Sequence, residues 1–242
     1  MDFERLARER RNDHLEDKHY IMNAWNALPA GVRGAFEQQW AGLAAGGLPC
    51  GSTILDANGN ILAAGRNHAY DPAGEIEARA RYPLQHTRLA HAEFNALALI
   101  PTEIDQAALT LWTTQHPCAM CAAAMQFVGM GKVCYVADDP SDDSPAGVIV
   151  ATRGQVHHEA LGDPLWWTVS NLLFLYNSAV QRGEDAGNLR MNRDRYPELV
   201  RLTLDVAQHD ALGHSARAGI ALPLALMPFD TMIVRAAAFA PR

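Results

Sequence analysis

The chain is poor in lysine and has no long run of lysine or arginine residues, since Arg5, Arg8, Arg10 and Arg11 interleave with acidic residues. Only two of its 242 residues are lysine, Lys18 and Lys132, and the formal charge at pH 7 is 20 − 27 = −7. Proteins that bind phosphate backbones need a clustered basic surface. The composition therefore argues against tRNA or single-stranded DNA as a partner.

Long apolar runs are also missing. No stretch reaches the 18 or so apolar residues that suggest a membrane-spanning helix, and residues 1–11 mix charges without the apolar segment of a signal peptide. The chain has four cysteines. We expect Cys50 and Cys134 to be buried core thiols. Unpaired cysteines fit a reducing compartment, so we expect a cytoplasmic protein with no membrane contact.

Two cysteines and a distant histidine have the character of a zinc site. Cys118 and Cys121 stand three residues apart at the start of a predicted helix, and His91 begins another. Thiolate and imidazole are ligands that Zn²⁺ prefers, and three protein ligands leave the fourth tetrahedral position open for water. Because we find no obvious fourth ligand, the pattern predicts a catalytic Zn²⁺ site rather than a structural one.

Glu93 stands two residues after His91. Zinc lowers the pKa of a bound water molecule to about 7. A carboxylate beside the metal can take the water's proton and pass it on, as a general acid–base. The combination H-x-E…P-C-x-x-C is a signature of the zinc deaminases.

From about residue 34 to residue 147 the chain resembles the cytidine deaminase superfamily, and within it the branch of free-base and tRNA deaminases. The resemblance implies that His91, Cys118 and Cys121 hold zinc. It also implies that Glu93 is the proton shuttle and that Asn67 holds the ring of the base.

Three further positions are candidate substrate contacts. Backbone N–H groups near Ala92, together with those near the ligand Cys118, are expected to stabilise developing oxygen charge. His116 stands where the resembling family usually carries glutamate, so it is either a substrate contact or a loop histidine with a backbone partner. Related guanine deaminases supply an aspartate from a C-terminal segment, and Asp230 could play that part.

Apolar periodicity predicts alternating helices and strands. Helices are predicted at 32–45, 91–100 and 118–128, and strands at 52–55, 61–65, 109–114, 132–137 and 148–152. Asn58-Gly59 is a strong hairpin signal between the first two strands. This order predicts a layered α/β fold. The resemblance implies a three-layer α/β/α sandwich of the cytidine-deaminase type, with a helical C-terminal extension.

We divide the chain into an N-terminal extension (1–31), a zinc-dependent deaminase core (32–153) and a C-terminal extension (154–242). The last segment has a helical apolar stripe from Leu165 to Val180 and a helix start at Pro197. It is predicted to be a lid or a subunit contact. Since the resembling family usually assembles as dimers or larger, we expect a homodimer.

The expected function is zinc-dependent hydrolytic deamination of a small aminated heterocycle with release of ammonia. A free nucleobase, such as guanine or a cytosine- or triazine-like base, is the first candidate. A nucleoside deaminase of the cytidine, adenosine or guanosine type is the alternative, and the negative charge disfavours a tRNA adenosine deaminase. A scaffold protein with structural zinc is the non-enzymatic alternative, which Glu93 disfavours.

Overall fold

Among the residues that the structure describes, a mixed β-sheet of five strands forms the centre. The computed structural model describes residues 20–71, 84–140 and 156–241. The strands are β1 (Gly51–Leu55), β2 (Ile61–Arg66), β3 (Thr110–Gln115), β4 (Lys132–Ala137) and β5 (His157–Ala160). Their order across the sheet is β2-β1-β3-β4-β5. β1 runs antiparallel to β2 and β3, whereas β3, β4 and β5 run parallel to one another.

The sequence predicts β1 to β4 to within one residue at each end but misses β5. The β5 segment, His157-His158-Glu159-Ala160, is exposed or half-exposed and lacks the apolar alternation that marks a strand. It forms because its backbone pairs with β4, from Lys132 to Tyr135. The strand predicted at 148–152 lies outside the described residues, as do most of the N-terminal extension and residues 72–83.

Helices flank the sheet and extend beyond it on one side. The first four are α1 (Tyr20–Ala27), α2 (Ala30–Ala44), α3 (Ala92–Leu97) and α4 (Ala119–Val128). Those that follow β5 are α5 (Pro164–Arg182), α6 (Gly187–Asn192), α7 (Pro197–Ala207), α8 (Ala211–Arg217), α9 (Leu222–Leu226) and α10 (Asp230–Ala237). Asp163 fixes the start of α5, because its carboxylate accepts hydrogen bonds from the Leu165 and Trp166 backbone amides at 2.9 and 3.3 Å.

The two faces of the sheet carry different helices. Ile54, Leu111 and Val133, on three neighbouring strands, share an apolar cluster with residues of α3 and α4. Residues next to them in sequence point to the opposite face, where Thr53 and Trp112 lie against α2. α5 packs beside α2 on that second face. The result is the predicted three-layer α/β/α sandwich.

The C-terminal helices continue outward from the second face. α7 and α10 pack on α5, and α8 packs on α2. One apolar cluster joins residues from all three predicted segments, with Trp25, Phe36 and Trp166 in mutual ring contact at 5.2 to 6.0 Å. The predicted domain boundaries, the lid or subunit-contact role and the homodimer stay predictions. No helix among the described residues combines the length and apolar character needed to cross a membrane.

One edge of the sheet brings several chain segments together. Because β1 is antiparallel to its neighbours, its start lies at the same edge as the ends of β2, β3 and β4. Cys50 directly precedes β1 at this edge and Asn67 directly follows β2. The Asn67 backbone amide donates to the Cys50 carbonyl oxygen at 3.0 Å. We call this the site edge of the sheet.

The turn after β2 is held by a buried carboxylate. Asp71 accepts two hydrogen bonds from the Arg66 guanidinium, at 2.7 and 2.9 Å, and lies 2.9 Å from Nδ1 of His68. Burial acts to raise the pKa of Asp71, but the hydrogen bonds from His68 and Arg66 and their charges outweigh it and bring the pKa down to about 2. The His68 amide in turn donates to the Ala90 carbonyl at 2.8 Å, which ties this turn to the start of α3.

Gly65 allows α3 to approach β2. A Cβ atom there would lie 2.5 Å from the Ala92 carbonyl oxygen and 2.6 Å from the Ala96 nitrogen, both backbone atoms of α3. We predict that Gly65→Ala forces α3 away from the sheet and destabilises the protein by about 1–3 kcal/mol, as overpacking typically does. Thermal unfolding followed by circular dichroism measures the loss.

The matched control for Gly65 is Gly187→Ala, because a Cβ at Gly187 meets nothing within 4 Å. We expect the control to keep the melting temperature of the unaltered protein. Equal melting temperatures for the two variants would show that α3 does not depend on the missing side chain.

Asp71 also makes stability depend on pH. Its folded-state pKa of about 2 lies below the unfolded value, so its contribution is complete above the unfolded pKa of about 4 and is lost as pH falls from there towards 2. We predict that Asp71→Asn lowers the free energy of unfolding at pH 7 by up to about 2 kcal/mol, and that the gap to the unaltered protein closes between pH 4 and 2.

Denaturant titrations at a series of pH values test this, with the exposed Asp185→Asn as the control for loss of one carboxylate. A gap that stays constant down to pH 2 would contradict the role of the Asp71 charge.

Candidate metal centre

The three predicted zinc ligands come from two helix starts. His91 is the residue that caps α3, and Cys118 caps α4; both have extended backbone, with φ of −70° and −66°. Cys121 lies three residues further along α4 and is fully buried. A helix N-terminus favours negative charge, so the start of α4 suits thiolates.

The ligand atoms have the spacing of a tetrahedral zinc site. His91 Nδ1 lies 3.6 Å from Cys118 Sγ and 3.5 Å from Cys121 Sγ, and the three atoms all fall within 4.8 Å of one another. A tetrahedral zinc with Zn–S of about 2.3 Å and Zn–N of about 2.0 Å separates nitrogen from sulfur by roughly 3.5 Å. The residues therefore fit zinc in both donor chemistry and spacing.

The surroundings favour one thiolate before any metal binds. The hydrogen bond from the Cys121 thiol is the largest influence on Cys118; together with His91 it overcomes burial and lowers the pKa of Cys118 to about 4. The same hydrogen bond, burial and the charge of Glu93 raise the pKa of Cys121. Since the metal binds thiolates, zinc binding would release the proton of Cys121.

Glu93 lies in the first turn of α3 with 6% of its surface exposed. Its carboxylate is within hydrogen-bond reach of the Cys121 thiol. Burial raises the pKa of Glu93 to about 7. A carboxyl group with that pKa is suited to accept and donate protons near neutral pH.

Asn67 and Ala92 lie close to this group. The backbone bond from His68 to Ala90 brings the turn that contains Asn67 next to His91. Asn67 is 2% exposed, and its side-chain oxygen accepts a hydrogen bond from the Ala69 amide at 2.9 Å. The amide nitrogen is then the part of this side chain that can donate to another group. Ala92 is fully buried between His91 and Glu93.

The other two predicted contacts lie in different surroundings. The His116 ring packs on Tyr135 at 4.6 Å and near His158 at 5.6 Å, on β4 and β5, and its backbone amide donates to Ala137 at 2.7 Å. Asp230 begins α10 in the C-terminal helices, where its carboxylate accepts from the Ile21 amide at 3.4 Å. Their roles towards a substrate stay predictions.

Cys50 differs from its prediction as a buried core thiol, whereas Cys134 is buried as expected. Cys50 is half-buried at the site edge, and its sulfur lies 3.6 Å from Gln115 Oε1. Burial first, and then the charges of Glu93, Asp139 and Cys118, raise its pKa. Asp139 belongs to an acidic stretch that the sequence predicts as a solvated turn, and its negative charge acts to raise the pKa of His91. Its position directly after β4, at the same edge as the metal motif, is the signal that could have identified it.

Comparison with known proteins shows which family residues 29–137 resemble. The family model of the cytidine and deoxycytidylate deaminase zinc-binding region matches residues 29–137. Similar solved structures include a tRNA:A34 deaminase (19% identity, 54% of this chain and 95% of that chain, TM-score 0.41). Others are guanine deaminase from Nitrosomonas europaea (22%, 61% and 84%, 0.45) and dCMP deaminase from the cyanophage S-TIM5 (23%, 47% and 80%, 0.31).

The comparison with curated proteins gives no match. The family model covers the whole run from α2 to β4, including both parts of the ligand motif. The three residues it encloses are positioned to bind a metal ion, and their donor atoms suit zinc. Residues 29–137 therefore match the zinc-binding region of the cytidine and deoxycytidylate deaminases, and they contain the three residues that are positioned to bind a metal ion.

Proposed function

We propose that the protein is a hydrolytic deaminase that exchanges the amino group of a free heterocyclic base for oxygen and releases ammonia. The observation that carries the proposal is the buried carboxylate of Glu93 beside three zinc ligands. Burying a carboxylate is costly, and a purely structural zinc site has no use for one at this position. A proton shuttle needs it there.

Zinc held by His91, Cys118 and Cys121 would supply a water molecule whose pKa is lowered to about 7. Glu93 can accept one proton of that water and deliver it to a ring nitrogen, and then accept the water's second proton and deliver it to the departing amino group. The carboxylate is regenerated at the end of each cycle, so the balance is water plus amine giving carbonyl plus ammonia. A pKa of about 7 suits both directions of transfer.

Two groups would orient the heterocycle. The Asn67 side-chain amide can donate to the ring, since its oxygen already accepts from Ala69. The Ala92 backbone N–H, at the start of α3, would stabilise developing negative charge on oxygen. Both groups belong to segments that hydrogen bonds fix at the site edge.

A small neutral base suits the charge of the chain. The net charge of −7 disfavours a polyanionic substrate such as tRNA. We therefore propose guanine or a cytosine- or triazine-like base as the substrate class. Ammonia release from a panel of these bases, with cytidine, adenosine and guanosine beside them, tests the assignment. If only the nucleosides released ammonia, the free-base proposal would be wrong and a nucleoside deaminase would take its place.

The ligand set makes a direct prediction about metal content. Cys118→Ala and Cys121→Ala each remove one of three donors, so we expect the purified variants to contain far less than one zinc per chain. Cys134→Ala is the matched control, because Cys134 is a buried thiol on β4, as Cys121 is on α4, and it should keep full zinc. Atomic emission spectroscopy measures the content, and stoichiometric zinc in both ligand variants would refute the assignment.

The proton-shuttle role makes a second prediction. Glu93→Gln keeps the shape of the side chain but cannot carry the proton, so we expect it to keep zinc and lose about 10²- to 10⁴-fold in the rate of ammonia release. The exposed Glu103→Gln serves as the control and should be unchanged. Near-normal turnover by zinc-loaded Glu93→Gln would remove Glu93 from the mechanism.

A further inference from the structure

A buried amide lies at the end of the strand that leads to the zinc motif. Gln115 is the last residue of β3, three positions before Cys118, and only 4% of its surface is exposed. A buried amide must find partners for both its oxygen and its nitrogen. The partners of Gln115 come from three different elements of the fold.

The amide nitrogen of Gln115 binds to helix α5. It donates to Ser170 Oγ at 2.8 Å and to Asn171 Oδ1 at 3.3 Å. The Ser170 hydroxyl then donates to the Thr114 carbonyl oxygen at 2.8 Å. This closed ring ties both the side chain and the backbone at the end of β3 to one turn of α5.

The amide oxygen of Gln115 accepts hydrogen bonds from β3 itself and from helix α2. It accepts from Thr114 Oγ1 at 2.8 Å and from Gln39 Nε2 on α2 at 3.4 Å. The Thr114 hydroxyl also accepts from the Gly51 amide of β1 at 3.1 Å. Gln39 is fully buried and donates in addition to the Ser170 carbonyl at 2.9 Å. The end of β3 is therefore fixed to α2, β1 and α5 together.

The link between Gln115 and Cys118 has little freedom. The His116 amide donates to the Ala137 carbonyl at 2.7 Å, and Pro117 has a fixed φ. Cys118 then caps α4 with extended backbone. A displacement of Gln115 would thus be passed on to the Cys118 sulfur, which must stay about 3.6 Å from the His91 ring.

The C-terminal helices contact the site edge at a second point. The fully buried Asn192, at the end of α6, donates to the Pro140 carbonyl at 2.8 Å, just beyond Asp139. The segment after β4 is therefore also fixed from the C-terminal side. Two independent contacts from this region reach the edge where the ligands converge.

We propose that Gln115 is a positioning residue for the zinc ligand Cys118 and that α5, through Ser170 and Asn171, is a structural support of the metal centre. The C-terminal region then contributes to metal affinity from the face of the sheet opposite α3 and α4. This inference concerns the metal site itself and does not depend on which substrate the protein deaminates.

The test compares full-length variants of the network with a matched variant on the same helix. Gln115→Leu removes the amide at similar volume, and Ser170→Ala is a milder change that removes one hydroxyl. The control is Asn177→Ala. The Asn177 side chain also projects from α5, but its amide nitrogen donates to the carbonyl oxygens of Leu43 and Gly47 at 3.3 and 2.7 Å and not to β3. Melting curves followed by circular dichroism show at which temperature every variant is folded, and zinc binding is measured at that temperature.

Two readouts separate positioning from general stability. The zinc dissociation constant is measured by competition with a chromophoric chelator, and the Co²⁺-substituted proteins are compared by thiolate-to-cobalt absorption. We expect Gln115→Leu to bind zinc at least about ten-fold more weakly, as loss of groups that orient metal ligands usually does, with Ser170→Ala changed in the same direction. The cobalt spectrum should shift in Gln115→Leu.

Asn177→Ala is expected to lower the melting temperature while leaving both the zinc dissociation constant and the cobalt spectrum unchanged. The proposal is overturned if Gln115→Leu and Ser170→Ala bind zinc as tightly as the unaltered protein. It is equally overturned if Asn177→Ala weakens zinc binding as much as they do.

Discussion

The account depends on the meeting of two helix starts at one edge of a β-sheet. His91 caps α3 and Cys118 caps α4, so neither ligand lies within the regular part of its helix. The sheet sets their positions, because the ends of β2 and β3, which precede α3 and α4 in the chain, lie at the same edge as the start of β1. The centre therefore depends on the sheet more than on either helix alone.

The helices on the two faces of the sheet contribute different features. α3 and α4 supply the ligands and the acid on one face, while α2 and α5 form a large apolar core on the other. The buried amides of Gln39 and Gln115 connect the two sides through the end of β3. Within this network the Gln115 amide has partners at both its oxygen and its nitrogen, so it is well placed to fix geometry near the metal.

Features that depend on residues close together in the chain could be predicted from the sequence. Cys118 and Cys121 could be recognised from their spacing, and the strands β1 to β4 from apolar runs and the Asn58-Gly59 turn. His91 and Glu93 could be recognised from the H-x-E…P-C-x-x-C signature, although they lie far from the cysteines in the chain. Zinc and the three-layer fold followed from these elements, and both agree with the geometry and with the family match.

Features that depend on tertiary contacts could not be predicted. β5 has no apolar alternation and exists through its pairing with β4. Ser170 and Asn171 interrupt the apolar stripe of α5, a signal that is visible in the sequence but does not reveal that Gln115 is their partner. The half-buried Cys50 is similar, since its contact with Gln115 Oε1 joins residues that are far apart in the chain.

X-ray absorption spectroscopy at the zinc edge of the purified protein tests the central claim most directly. The account predicts two sulfur neighbours at about 2.3 Å and two lighter neighbours at about 2.0 Å, one from His91 and one from water, the latter exchangeable with small anions. A third sulfur, or a fourth protein ligand that leaves no exchangeable position, would contradict a catalytic zinc site.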